Sequence, residues 1–200
     1  MRDSTKITVG YQFRYILLIY LAAAAIAAMF GLLIFYSFMF MNIAKQIVSV
    51  GLIGVEAGML YTTAKKFAAR DIKDYTPLKE SKAKGVLFGV SVATLNLILI
   101  VAHQIVWATC SSPIAEGGRE LIYLGAAIYN IFFNILTFAY SGFVNIQEYG
   151  NLGYIAPALM IIVPIAATTL GYIAGCKRFE LAENLDKLIY EKDDEEEDTK

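Results

Sequence analysis

Four stretches of this 200-residue chain, 15–41, 85–115, 121–147 and 149–176, contain no Asp, Glu, Lys or Arg. Each exceeds the about 20 apolar residues with which a helix crosses a hydrocarbon core about 30 Å thick. A soluble domain cannot shield so many uncharged residues from water, so an all-α integral membrane bundle is expected. The composition agrees, with 58% hydrophobic and 18% charged residues against about half and a quarter in soluble proteins.

A formal net charge of -1 conceals an asymmetry. Residues 177–200 hold ten acids and five bases, a balance of -5, whereas the preceding 176 residues carry +4. A modest positive excess suits a membrane domain whose basic loops fix its orientation. Neither part has the strongly basic surface of a nucleic-acid binder, and no nucleic-acid partner is expected.

The run 15–41 is too long for the apolar region of a cleavable signal, which is about 7 to 15 residues, so it reads as an uncleaved first span with an alanine-rich patch from Ala22 to Ala28. The second span, 46–64, contains Glu56 and the small-residue pair Gly54 and Gly58, and ends at Lys65, Lys66 and Arg70. The third, 85–108, opens on Gly85 and Gly89, and the last, 153–175, carries Pro157 and Pro164. Small residues four apart allow membrane helices to approach closely.

Residues 121–145 have two readings. Asn130, Asn134, Thr137 and Ser141 share one helical face, opposite Ile128, Ile131, Phe132, Ile135 and Phe138. That pattern suits an interfacial, re-entrant or cavity-lining helix, or else a full span whose amides bond its neighbours. Charge decides between them. Arg2, Lys6 and Arg14, the seven Lys and Arg within 63–84, and Lys177 with Arg178 all lie on the cytoplasmic side if only four segments cross. The expected architecture is therefore four transmembrane helices plus one interfacial or re-entrant helix, with five spans as the alternative and both termini cytoplasmic in the first case. In that case Cys110 and Cys176 lie on opposite faces, and an impermeant thiol reagent should reach Cys110 alone.

Residues 1–176 thus form a polytopic membrane domain and 177–200 a cytoplasmic tail. In the tail, Phe179, Leu181, Leu185, Leu188 and Ile189 recur at helical spacing, so a short amphipathic helix is expected. The six acids from Asp193 to Asp198 should be solvated and disordered.

Glu56 is the most costly residue to insert, at about 2.5 to 3.5 kcal/mol for a carboxylate at a helix centre. It is either a cation or proton site or a neutral carboxyl hydrogen-bonded to a neighbour; Ser91, Thr94 and Asn96 on the antiparallel third helix lie at similar depth. His103, about 27 Å from Gly85 along that helix, is too far to pair with it. With Gln104 and Trp107, His103 reads as an outer interfacial anchor, and as the chain's one histidine it has no companions for a metal site. The two prolines are expected to kink the last span, with Thr168 and Thr169 covering the freed carbonyls. No nucleotide-binding glycine loop, HExxH, GxSxG or CxxC occurs, so neither an enzyme nor a cofactor is expected.

The run Gly171-Tyr172-Ile173-Ala174-Gly175, followed by Lys177-Arg178-Phe179-Glu180-Leu181 and Asp186-Lys187-Leu188-Ile189-Tyr190, resembles a group of small multi-pass membrane proteins of Gram-positive anaerobic bacteria that have no established activity. The resemblance covers the last quarter and the span pattern, and the acidic ending departs from the group's more basic ones. It implies a bacterial cell-membrane location and a topology, and supplies no site residues. The functional expectation is a non-enzymatic subunit acting through helix association, with another membrane protein or a second copy as partner, in the lipid bilayer. The alternative is a small transporter, or the substrate-binding membrane subunit of an uptake system, with Glu56, Asn96, Asn130 and Asn134 forming its polar site.

Overall fold

The computed structural model describes residues 9–37, 42–72, 81–111, 119–143 and 154–197. Their regular structure is all helical: α1 Val9–Ser37, α2 Asn42–Asp71, α3 Lys82–Ser111, α4 Arg119–Thr137, a 3-10 turn Phe138–Phe143, and α5 Ile155–Glu197. Five segments are long and apolar enough to cross a membrane, namely Val9–Leu32, Ile43–Asp71, Ala83–Thr109, Tyr123–Phe143 and Ile155–Lys177. The chain is therefore a multi-pass membrane protein.

The helices overrun the charge-free runs. α1 starts at Val9 and takes in Gln12 and Arg14, and α2 continues through Lys65, Lys66 and Arg70 to Asp71. Once a span is formed, each added residue gains a backbone hydrogen bond without a new nucleation cost. The helix expected after Lys177 is present but continuous with the last span: α5 runs unbroken over 43 residues to Glu197 and takes in residues 193–197 of the acidic run, which were expected to be disordered.

α5 lies antiparallel to α3. Asn96 Nδ2 donates to the carbonyl of Met160 at 2.7 Å, and Thr168 Oγ1 to that of Gly85 at 2.8 Å, so partner numbers fall on one helix as they rise on the other. α5 packs most heavily on α3 and α2, and α1 packs on α2. One core cluster gathers Ile16, Tyr20, Leu60, Phe67, Phe88 and Tyr172, and a second Ala27, Leu52, Ala139, Tyr140 and Met160. Leu18, Met29, Ile47, Ile98, Ile162 and Leu170 point outward, as a bundle solvated by lipid requires.

Glycines set how closely α5 approaches. A Cβ at Gly89 would overlap the Ile165 backbone, and one at Gly85 would lie 2.7 Å from Tyr172 Cβ. On α5 itself, a Cβ at Gly171 would overlap the Tyr61 carbonyl, and one at Gly175 would lie 2.6 Å from the Lys65 carbonyl oxygen. Gly85 and Gly89 therefore form a seam with α5. Gly54 and Gly58, expected as a packing pair, have nothing within 4 Å on their Cβ side, as does Gly51. These three sit on a face of α2 turned away from the bundle.

α4 touches α1 and α3 only lightly. Phe133 stacks on His103 with ring centroids 4.2 Å apart, and Tyr129 donates to the Leu99 carbonyl at 2.6 Å. These partners rise together, whereas in an antiparallel hairpin one would fall. The 3-10 turn then packs at the end of α2 remote from Asp71: Gly142 N donates to Ser49 Oγ at 2.8 Å, and Phe138 fills the space beside Gly31 and Leu52. Ser141 Oγ donates back to the Phe138 carbonyl at 2.7 Å, a local bond that competes with the regular helical ladder.

Candidate intramembrane polar site

Two layers of buried polar groups bridge the helices, while Lys45, Ser49, Thr63 and Thr137 are buried apart from them. The first sits where four helices meet near the basic segment. Asp71 of α2 accepts from Gln12 Nε2 of α1 on Oδ1 and from Lys84 Nζ of α3 and Tyr172 Oη of α5 on Oδ2, each at 2.8 Å. The Asp71 side chain is 0% exposed and that of Lys84 12%. One residue from each of α1, α3 and α5 thus converges on the single carboxylate of α2. Its burial is offset by an ion pair with Lys84 and by hydrogen bonds from two uncharged donors, the arrangement a dry carboxylate needs.

The second layer lies about 20 Å along α2 and α3 from the first. Tyr20 Oη donates to Asn96 Oδ1, and the Asn96 amide donates onward to Met160. The Met160 carbonyl needs this donor because its helical partner would be the N–H of residue 164, which is Pro164. The proline-freed group is therefore covered from α3. Thr168, expected to serve that role, lies on the wrong side of Pro164 and instead donates to Pro164 and Gly85. Pro157 also behaves differently from expectation: in the first turn of α5 its missing N–H breaks no ladder bond.

Glu56 is fully buried in α2 and accepts from Tyr140 Oη, in the 3-10 turn, at 2.8 Å. Tyr20 is close enough for an electrostatic interaction with it, so Glu56 borders the Asn96 group. Its second oxygen, Oε2, has no hydrogen-bond partner among the described residues. Ser91 and Thr94, at matching depth on α3, donate instead to their own helix at Phe88 and Val90.

Of the four polar positions expected to share a site, Glu56 and Asn96 come near one another, whereas Asn130 is half-buried and Asn134 exposed on α4. Thr137 and Ser141 of the same stripe donate locally, to the Phe133 and Phe138 carbonyls. His103 is held between α3 and α4 by Phe133 and Tyr129. Among the described residues no three His, Cys, Asp or Glu side chains cluster as metal ligands would. Cys176 is buried and in no disulfide among the described residues, and the side chain of Cys110 lies outside the described residues.

Sequence reasoning missed Gln12, Tyr20, Asp71, Lys84, Tyr140 and Tyr172. The Met160 carbonyl could have been found, since a proline always frees the group four residues earlier. Asn96→Ala is expected to destabilise the bundle by about 1 to 3 kcal/mol, because it strands that carbonyl and the Tyr20 hydroxyl. In a Pro164→Ala background, where residue 164 can donate to Met160, the cost should fall by about 1 kcal/mol. Thermal unfolding of the four proteins in one detergent measures the coupling, and equal costs in both backgrounds would contradict it.

Comparison with protein-family models, with curated proteins and with solved structures returns no match for this chain.

Proposed function

We propose that the protein is a non-enzymatic membrane subunit that works by association in a bacterial cell membrane. The Gly51, Gly54 and Gly58 face of α2 receives another membrane helix, and the extension of α5 reaches into the cytoplasm. The observation that carries this reading is a contrast within one residue type. Gly85, Gly89, Gly171 and Gly175 each have a neighbouring helix where a Cβ would stand, whereas the three on α2 have open space. Glycine in a helix lowers its stability by about 1 kcal/mol relative to alanine, and close approach of a second helix offsets that cost. The transport reading has weaker support, because Asn134 is exposed on α4 and Asn130 only half-buried, whereas Glu56 is fully buried.

In mild detergent, the wild-type chain is expected to co-purify with a membrane partner or with a second copy. The double variant Gly54→Leu/Gly58→Leu should abolish this while leaving the melting temperature of the isolated chain within a few degrees. Recovery of wild type as a lone monomer from several detergents would count against the proposal.

The orientation belongs to the same reading: four crossings, with α4 and the 3-10 turn as a non-crossing element and both termini cytoplasmic. Its support is positional. α4 follows the end of α3 remote from Lys84, the turn lies at the end of α2 remote from Asp71, and α5 descends from Met160 beside Asn96 to Tyr172 beside Asp71. Lys65, Lys66 and Arg70 of α2, with Lys84 and Lys177, then share one side, as the positive-inside rule asks, while Lys45 lies buried near the opposite end of α2. Because Cys176 is buried, its silence to thiol reagents does not distinguish the topologies. A cysteine introduced at Thr199, in a chain without Cys110 and Cys176, should react with an impermeant maleimide only after the cells are permeabilised. Reaction in intact cells would overturn the cytoplasmic placement of the C-terminus.

A further inference from the structure

A cleft of about 320 Å³ opens between the first half of α1 and the second half of α2. Its chemistry is graded along the helix axes. At the end level with Asp71 it is lined by Arg70, Lys66 and Tyr11, and deeper toward the bilayer centre by Thr62, Ile19 and Met59. Met59 stands about 17 Å from Arg70 along α2. The aromatic wall is braced by Tyr11 against Tyr15, ring centroids 6.1 Å apart, and by Tyr15 edge-on to Phe67 at 5.7 Å. The open glycines are centred about a third of a circle around α2 from the middle of this cleft, at 100° per residue, and the two surfaces meet only at Thr62, whose hydroxyl donates to the Gly58 carbonyl.

Two cations and a phenol at the headgroup end, leading into an apolar channel inside the hydrocarbon, match one molecule of the surrounding solvent. We propose that this cleft is a binding site for a single anionic phospholipid, its phosphate held by Lys66 and Arg70 and the start of one acyl chain lying along Ile19 and Met59. Charge and depth both select this ligand. A zwitterionic lipid brings its own cation to the Lys and Arg, and a free phosphate leaves the deeper apolar part of the cleft without an occupant. Basic groups near a membrane surface favour anionic headgroups. The site does not depend on the association face or on the orientation proposed above.

The test uses native mass spectrometry of the full chain in detergent, titrated in parallel with phosphatidylglycerol, with phosphatidylcholine of the same acyl chains, and with inorganic phosphate. The expected result is a one-to-one phosphatidylglycerol adduct that weakens about tenfold or more in Lys66→Gln/Arg70→Gln and is also reduced in Met59→Trp, which fills the deep end. Lys177→Gln, a charge outside the cleft, should leave it unchanged. The single variant Lys66→Gln, whose side chain is exposed, should weaken the adduct by several-fold, and thermal unfolding of each variant checks that it is folded. Equal binding of the two lipids by folded wild type would overturn the proposal. So would an adduct unaffected in folded Lys66→Gln, phosphate binding as tightly as the lipid, or lipid binding that appears only when a dimer dissociates, which would give the cleft to a second copy.

Discussion

Replacing Asp71 with alanine is expected to be the most damaging single loss of a polar side chain in this protein, at about 3 to 5 kcal/mol. The carboxylate accepts from three other helices at once, so its removal takes the acceptor from Gln12 and Tyr172 and the counter-charge from Lys84 together. Asp71→Asn should cost less, because the amide oxygen can still accept one or two of these bonds while its NH₂ faces donors. A third variant gives the argument its sign. Asp71→Leu/Lys84→Met removes both charges and keeps comparable volume, and buried ion pairs replaced in that way are often neutral or stabilising. It should therefore recover much of the loss, short of what Gln12 and Tyr172 forfeit. Thermal unfolding in a single detergent ranks the three. If the double variant were as unstable as Asp71→Ala, the cost would lie in the hydrogen bonds and not in the stranded charge.

This four-helix junction was not legible from the sequence, for a physical reason. Asp71 and Lys84 sit in the most charged stretch of the chain, where a loop charge and a buried charge look alike. Their partners Gln12 and Tyr172 lie 59 and 101 residues from Asp71. Periodicity reports which face a residue occupies, and it carries no information about which helix arrives opposite. The spans themselves were readable because the bilayer imposes a one-dimensional rule, about 20 uncharged residues per crossing, that needs no tertiary knowledge. Glu56 stood out for the same reason, since its insertion cost is local. Its donor did not stand out, because Tyr140 comes from the segment whose path was least certain and is delivered by a 3-10 turn. Of the Asn130 to Ser141 stripe, Asn130, Asn134 and Thr137 lie on α4 at the expected spacing, but Ser141 falls in the 3-10 turn, where the helical period no longer applies, and Asn134 is exposed.

Glycine shows the limit most directly and leads to the second large effect. Gly54 and Gly58 have the same four-residue spacing as Gly171 and Gly175, yet the first pair faces open space and the second faces α2 at backbone distance. Gly171→Leu should therefore be far more disruptive than Gly54→Leu, although both place the same side chain in a membrane helix. At Gly171 the nearest atoms are the Tyr61 carbonyl group and Cα, which cannot rotate aside as a side chain could. α5 must then move off α2, and both helices belong to the polar junction at Asp71, so the displacement also stretches the Tyr172 bond. Overpacking in cores costs about 1 to 3 kcal/mol when neighbours can adjust, and here the neighbour is backbone, so at least the upper end is expected. Gly171→Ala should show an intermediate loss, since even one methyl overlaps the carbonyl. Gly54→Leu should stay within about 1 kcal/mol of wild type and tend toward gain, since leucine is the better helix former. Unfolding midpoints of the isolated chain would settle the ranking, and a Gly171→Leu protein as stable as Gly54→Leu would mean that α2 and α5 are not packed at backbone distance.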